Sequence, residues 1–182
     1  MGGNTPSAKP GKSGTGGAAT DFTCGVLTVS DKGAAGERQD TSGPAVQEIL
    51  AGRGFDVVAY TLVADDVDSI KALLIEWTDH WSMDLVITTG GTGVAPRDVT
   101  PEATRAVIDR EVPGISEAMR MASLRNTPHA VLSRGISGIR GTSLIINLPG
   151  SEKAARENIE AVLPALPHAL YKIKGGKGDC GG

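Results

Sequence analysis

The chain has 182 residues, 40% of them hydrophobic, which is enough for one domain with its own core. A net charge of −3 and only 3% aromatic residues argue against a nucleic-acid or anionic-membrane surface. No stretch is apolar for long enough to span a bilayer, and the two cysteines, Cys24 and Cys180, lack CxxC spacing, so a reduced, cytoplasmic compartment is expected.

Residues 1–20 are rich in Gly, Ser, Thr, Ala, Pro and Lys and are expected to form a disordered tail. Gly175 to Gly182 reads as a second, glycine-rich tail, which leaves one domain over residues 21–174. No internal repeat is seen. The three histidines, His80, His129 and His168, are scattered and suggest no metal site.

Phe22 to Ser30 reads as a first strand, buried through Val26, Leu27 and Val29. A polar loop from Ser30-Asp31 to Asp40 follows, in which Ser30 and Asp31 are either turn formers or cleft residues. Thr41 or Ser42 then caps a helix with Pro44 near its start and Ala45, Val46, Ile49 and Leu50 on one face. Phe55 to Val63 is the second strand. It runs into Asp65-Asp66, where one carboxylate caps the next helix and the other is available to a cation. In that helix Ile70, Leu73, Leu74, Trp77 and Trp81 recur at helical spacing, which makes the tryptophans core or interface residues.

The third strand, Leu85 to Ile87, breaks into Thr88-Thr89-Gly90-Gly91-Thr92-Gly93. Glycines there allow positive φ and close approach to a ligand, and successive N–H groups can form an anion nest. Arg97 and Asp98 lie between Pro96 and Pro101, with Thr100 expected as the N-cap of the next helix, which carries Ala103, Ala106, Val107 and Ile108. Fixed charges beside an anion nest point to phosphate and metal chemistry. The common nucleotide motifs do not fit: Pro96 breaks GxGxxG, and no P-loop is present. Beyond Pro113-Gly114 a helix is expected to bury Ile115, Ala118, Met119 and Ala122. Ala130 to Arg140 reads as an edge strand and turn, and Thr142 to Asn147 as a buried strand ending in Leu148-Pro149-Gly150. Ser151 caps a last helix with Ala155, Ile159, Val162, Leu163, Leu166 and Leu170 inside, interrupted at Pro164 and Pro167. If the strands are parallel, the loops at Ser30-Asp31, Asp65-Asp66, Gly90–Asp98 and Asn147–Gly150 gather at one sheet edge and form one cleft. The expected architecture is an α/β three-layer sandwich with a mostly parallel central sheet.

TTGGTG followed by PRDVTPEAT, with EVPGISEAMR after it, resembles the signature of the molybdenum-cofactor biosynthesis family. That is the molybdopterin-binding fold of molybdopterin adenylyltransferases and of the amino-terminal domain of gephyrin. The likeness covers nearly all of residues 23–171; Ala64 departs from the proline often found there. It implies that Ser30, Asp31 and Asp40 help hold the pterin, and that Asp65 and Asp98 are the functional carboxylates. It also implies that Gly141, Thr142 and Ser143 before the last strand, and Asn147, Pro149 and Gly150 after it, lie around the ligand cleft.

The family's active members join ATP and the pterin's terminal phosphate to give adenylylated molybdopterin and pyrophosphate. Such a transfer needs positioning and charge neutralisation more than a protein nucleophile, and no serine or cysteine nucleophile motif is present. Gly90, Gly91, Thr92 and Gly93 are expected to cradle the ATP phosphates, with Asn147, Pro149 and Gly150 also on the nucleotide. Asp65 and Asp98 are expected to hold Mg²⁺, and Ser30, Asp31, Asp40, Thr142 and Ser143 to face the pterin. The competing reading is a non-catalytic molybdopterin-binding or scaffold protein, which would need the cleft but not both carboxylates. A homotrimer is expected from the resemblance, with a hexamer as the alternative, and neither nucleic acid nor membrane as a partner.

Overall fold

The computed structural model describes residues 22–177, so the expected tail at 1–20, and residues 178–182 of the one expected at 175–182, lie outside the described residues. The strands are β1 (Thr23–Val29), β2 (Asp56–Val63), β3 (Leu85–Thr89), β4 (Arg110–Glu111), β5 (Ser137–Arg140) and β6 (Ser143–Leu148). They form one sheet in the order β2-β1-β3-β6-β5-β4. The first four in that order pair in parallel, whereas β5 runs antiparallel to β6 and β4 antiparallel to β5. The central strands are covered on both faces, which is why they read as unbroken apolar runs rather than alternating ones.

Successive side chains on each central strand point to opposite faces, and so feed two cores. Val26, Ile87 and Ile146 pack with Leu50, Met119, Ile159 and Leu170. Those four come from α2 (Ser42–Gly52), α5 (Pro113–Leu124), α6 (Glu152–Val162) and α7 (Leu166–Ile173). On the other face Leu27, Val86 and Ile145 pack with Ile70, Leu74, Trp77 and Ala103. The helices there are α3 (Val67–Ile75) and α4 (Thr100–Arg105). The three-layer arrangement with a mostly parallel sheet is therefore present. Trp77 is buried, as its spacing implied, and Trp81 is half-buried against it.

Several local expectations are corrected. Ser30 caps a single helical turn, α1 (Asp31–Ala34), where an open loop was expected. The stretch at 130–140 begins as a 3₁₀ turn (Pro128–Leu132), and its strand β5 lies inside the sheet, with β4 at the edge. On α5 the buried positions are Ser116, Met119 and Ser123, whereas Ala118 is exposed. The serines can go inside because each finds a partner: Ser116 hydroxyl to Ser137 hydroxyl at 2.8 Å, and Ser123 accepting from Asn158 at 2.7 Å. Pro164 falls in a 3₁₀ turn (Leu163–Ala165) that restarts the last helix as α7, as expected. Gly175, at φ +86°, and Gly176 close α7 by donating to the carbonyls of Lys172 and Tyr171. That is a Schellman cap, which places Gly175 and Gly176 in the closing turn of α7.

Candidate functional site

The chain leaves β1 for α2 on one face and leaves β3 for α4 on the other, which opens a crevice at the carboxyl ends of these neighbouring strands. A cavity of about 420 Å³ lies there, lined among others by Ser30, Asp40, Asp65 and Gly90. A second cavity of about 370 Å³ lies toward α5 and α6, with Ala130, Leu132, Pro149 and Asn158 in its wall. Gly91, Asp98 and Gly150 border both, so the glycine turn and Asp98 form the partition between them.

The turn is held by its carbonyls. Thr100 donates its hydroxyl to Gly90 O at 2.9 Å and its N–H to Gly91 O at 3.1 Å. Gly90 N–H goes to Leu148 O at 3.2 Å, and Thr89 hydroxyl to Pro149 O at 2.7 Å, which ties this turn to the one after β6. Among the described residues, the N–H groups of Gly91, Thr92 and Gly93 make no hydrogen bond, which leaves them to an anion. Thr100 was expected to be the N-cap of α4. Val99 takes that position, and Thr100 is fully buried as the strut of the turn.

The carboxylates divide their work. Asp66 caps α3 by accepting from Ser69 N–H at 2.8 Å, which frees Asp65 for the cleft. Asp65 and Asp31 exchange hydrogen bonds: Asp31 N–H donates to Asp65 Oδ2 at 2.8 Å, and Asp65 N–H to Asp31 Oδ1 at 3.0 Å. Arg97 grips Asp31 with two N–H donors, at 2.8 and 2.9 Å. That fork holds the Asp31 carboxyl below the usual carboxylate range. Asp98 Oδ2 accepts from Ala95 N–H at 2.8 Å, and its other oxygen has no hydrogen bond among the described residues. Asp65 is pushed the other way. Burial raises its pKa, the Asp31 N–H pulls it partly back, and the charges of Asp31 and Asp98 push it up again.

A raised carboxyl pKa makes ionised Asp65 a cost to folding. The folded state keeps the proton longer than the unfolded chain, so stability falls as pH rises from about 3.8 through the folded pKa. Asp65→Asn is therefore expected to raise Tm at pH 7 by about 1–2 °C, with the gain shrinking toward pH 4. Thermal unfolding across that range checks it. A lower Tm at pH 7 would mean that the lost charge-assisted bond to Asp31 N–H outweighs burial.

The other residues singled out by sequence fall into two groups. Ser30, Asp31, Asp40, Pro149 and Gly150 line one or both cavities or stand beside them, as does Thr92. Asp40, however, accepts from Thr28, Tyr60, Ser42 and Gly43, so both of its oxygens serve the protein. Burial opposes its ionisation, but those bonds together hold its carboxyl below the usual range. Asn147 is a buried strut, not a cleft contact: its amide donates to Thr88 and Thr104 hydroxyls at 2.9 Å and accepts from Ile136 N–H at 3.3 Å. Thr142 and Ser143 are not brought to the cleft at all. They stand at the start of β6, roughly 16 Å of strand from its carboxyl end. The Ser143 hydroxyl is committed to Met83 O.

Arg134 escaped the sequence reading, although the structure joins it to the glycine turn at Gly93 O. Its one local signal is a lone cation in a stretch of small and apolar residues, Leu132 to Ile136. Among the described residues no group of three metal-ligating side chains converges. The donor set still fits Mg²⁺, which takes one or two carboxylates and completes its shell with phosphate oxygens and water. Asp65 Oδ1, the oxygen not engaged by Asp31, faces the turn: a Cβ built on Gly91 would meet it at 2.9 Å.

Residues 25–168 match the family model described as "Probable molybdopterin binding domain". The chain is 49% identical over 153 residues to a molybdopterin adenylyltransferase of Helicobacter pylori strain J99, covering 83% of this chain and 87% of the relative. It is 45% identical over 163 residues to gephyrin of Dictyostelium discoideum, covering 84% of this chain but 23% of that protein. Among solved structures, the molybdopterin biosynthesis enzyme MoaB of Thermus thermophilus superposes with a TM-score of 0.81 at 60% identity, covering 85% of this chain and 97% of the other.

Proposed function

The chain belongs to the molybdopterin-binding domain family, and from that premise we propose that it is a molybdopterin adenylyltransferase of molybdenum cofactor biosynthesis. A terminal phosphate oxygen of molybdopterin attacks the α-phosphorus of ATP, the bond to the β-phosphate oxygen breaks, and pyrophosphate leaves. The observation that carries this reading is the partition between the two cavities, where the glycine turn, with its free N–H groups, lies beside Asp65 and Asp98. One substrate reaches that partition from each side. The polar cavity beside Ser30, Asp31 and Asp40 takes the pterin, and the more apolar one, with Pro149 in its wall, takes the nucleotide.

The N–H groups of Gly91, Thr92 and Gly93 bind the phosphate chain, and the carboxylates of Asp65 and Asp98 hold Mg²⁺. When bound, that ion supplies charge neutralisation at the phosphates. Arg97, already paired with Asp31, keeps the loop that carries Asp98 closed over the cleft. The protein acts as a cytoplasmic homotrimer. Among the described residues no helix is long and apolar enough to cross a membrane. Met121 and Leu124 on α5, and Val131 on the 3₁₀ turn that packs against it, supply exposed apolar side chains for subunit contact.

Incubating the purified protein with Mg-ATP and molybdopterin is expected to give adenylylated molybdopterin and one pyrophosphate per turnover, read by chromatography and a pyrophosphatase-coupled phosphate assay. Tight pterin binding without product would overturn the enzyme reading and leave a binding module.

A further inference from the structure

The segment from Gly93 to Asp98 is a short loop that closes on itself: Asp98 N–H donates to Ala95 O at 2.9 Å, and Ala95 N–H to the Asp98 carboxylate at 2.8 Å. The carboxylate therefore goes where the loop goes. Both ends of the loop are gripped by one side chain from a distant part of the chain. Arg134 donates Nε–H to Gly93 O at 2.6 Å and Nη2–H to Asp98 O, and its own backbone N–H goes to Thr92 O at 2.8 Å. Its outer edge is paired with both oxygens of Glu102, in the first turn of α4. A planar guanidinium is the one side chain that can bridge two carbonyls and a carboxylate from a single rigid fork. The pairing with Glu102 fixes the plane of that fork against the helix that follows the loop.

We propose that Arg134 is the positioning residue that sets the Asp98 carboxylate at the partition between the two cavities. The inference rests on the reading of Asp98 as a phosphate and metal ligand. Arg134 makes no hydrogen bond to the Asp98 carboxylate; it acts by fixing the spacing of the Gly93 and Asp98 carbonyls. Lysine keeps the charge but not the fork, so Arg134→Lys leaves the loop free to shift.

The test is a double-mutant cycle on Mg-ATP affinity, measured by calorimetry, with turnover and Tm alongside. Arg134→Lys is expected to lower kcat by about 10–100-fold, with the KM for molybdopterin within about twofold and Tm within a few degrees. It is expected to weaken Mg-ATP binding about tenfold in the wild-type background and less than about twofold in the Asp98→Asn background, since the two residues act through one group. Equal weakening in both backgrounds, or wild-type turnover in Arg134→Lys, overturns the positioning role alone. A fully active Asp98→Asn protein overturns the underlying reading and this inference with it. Should Arg134→Lys not fold, Glu102→Gln replaces it: the same non-additive pattern, at a loss of about threefold or more, is expected from loosening the fork, and full additivity with Asp98→Asn rejects the inference.

Discussion

Asp98→Asn is expected to reduce adenylylation on the order of 1,000-fold, about 4 kcal/mol in the barrier, while Tm stays within about 2 °C of wild type. The two halves of that expectation have different origins. Turnover falls because the amide no longer offers a full negative charge to Mg²⁺ at the partition, where the reacting phosphates meet. Stability holds because the structural work of residue 98 is done by groups the substitution keeps. An amide oxygen still accepts from Ala95 N–H, and the backbone carbonyl still accepts from Arg134. Product formation under saturating Mg-ATP, with thermal unfolding on the same preparations, checks both. An Asp98→Asn protein that keeps more than about a tenth of wild-type turnover would remove the carboxylate from the mechanism.

Gly90→Ala is the largest stability loss expected, about 3–5 kcal/mol, or roughly 10 °C in Tm. Residue 90 has φ +103°, which an L side chain rarely adopts. The added Cβ would also lie 2.1 Å from Val29 O, the last carbonyl of β1. Neither partner can yield cheaply: Val29 belongs to a strand paired on both sides, and Gly90 is pinned by Leu148 and Thr100. Gly36→Ala separates the two causes. Gly36 has a positive φ of +75°, but nothing lies within 4 Å of a built Cβ, so only the backbone preference is lost, at about 1 kcal/mol. Equal Tm losses for the two variants would show that backbone conformation alone, and not the approach of β1 to the turn, fixes glycine at position 90.

The same approach explains how the cleft depends on the sheet. β1 and β3 are neighbours in parallel register, Thr28 beside Thr89, so their carboxyl ends emerge side by side. β6 pairs with β3 so that Leu148 lies beside Thr89, which brings the turn at Pro149 and Gly150 against Gly90. Three stretches of sequence far apart thus meet at one point because three strands share one direction and one register.

Features encoded by local physics were legible in the chain before any fold was known. The apolar runs of the central strands, the helical spacing of Ile70, Leu74 and Trp77, the cap at Ser151 and the glycine turn after β3 all depend on residues within a few positions of one another. Each of these agrees with the structure. Strand direction also tells against Thr142 and Ser143 at the cleft: a parallel strand presents only its carboxyl end there, Ser143 begins β6 and Thr142 precedes it.

Which polar groups are free is settled in three dimensions. Asp65 and Asp66 are adjacent acids in the sequence, and either could cap a helix. Only the fold shows that Ser69 takes Asp66 and that Asp65 meets Asp31. Asn147 looked like a ligand, but a buried amide must be satisfied, and neighbours from other segments claim it; Asp40 lines the cavity while Thr28 and Tyr60 hold its carboxylate. Arg134 was silent because its side-chain partners lie 32–41 residues upstream, and a hydrogen bond across such a separation leaves no periodicity in the chain. Sequence patterns report where a residue sits along its own element; hydrogen-bond saturation is a property of neighbours in space, and only the packed sheet and its helices supply them.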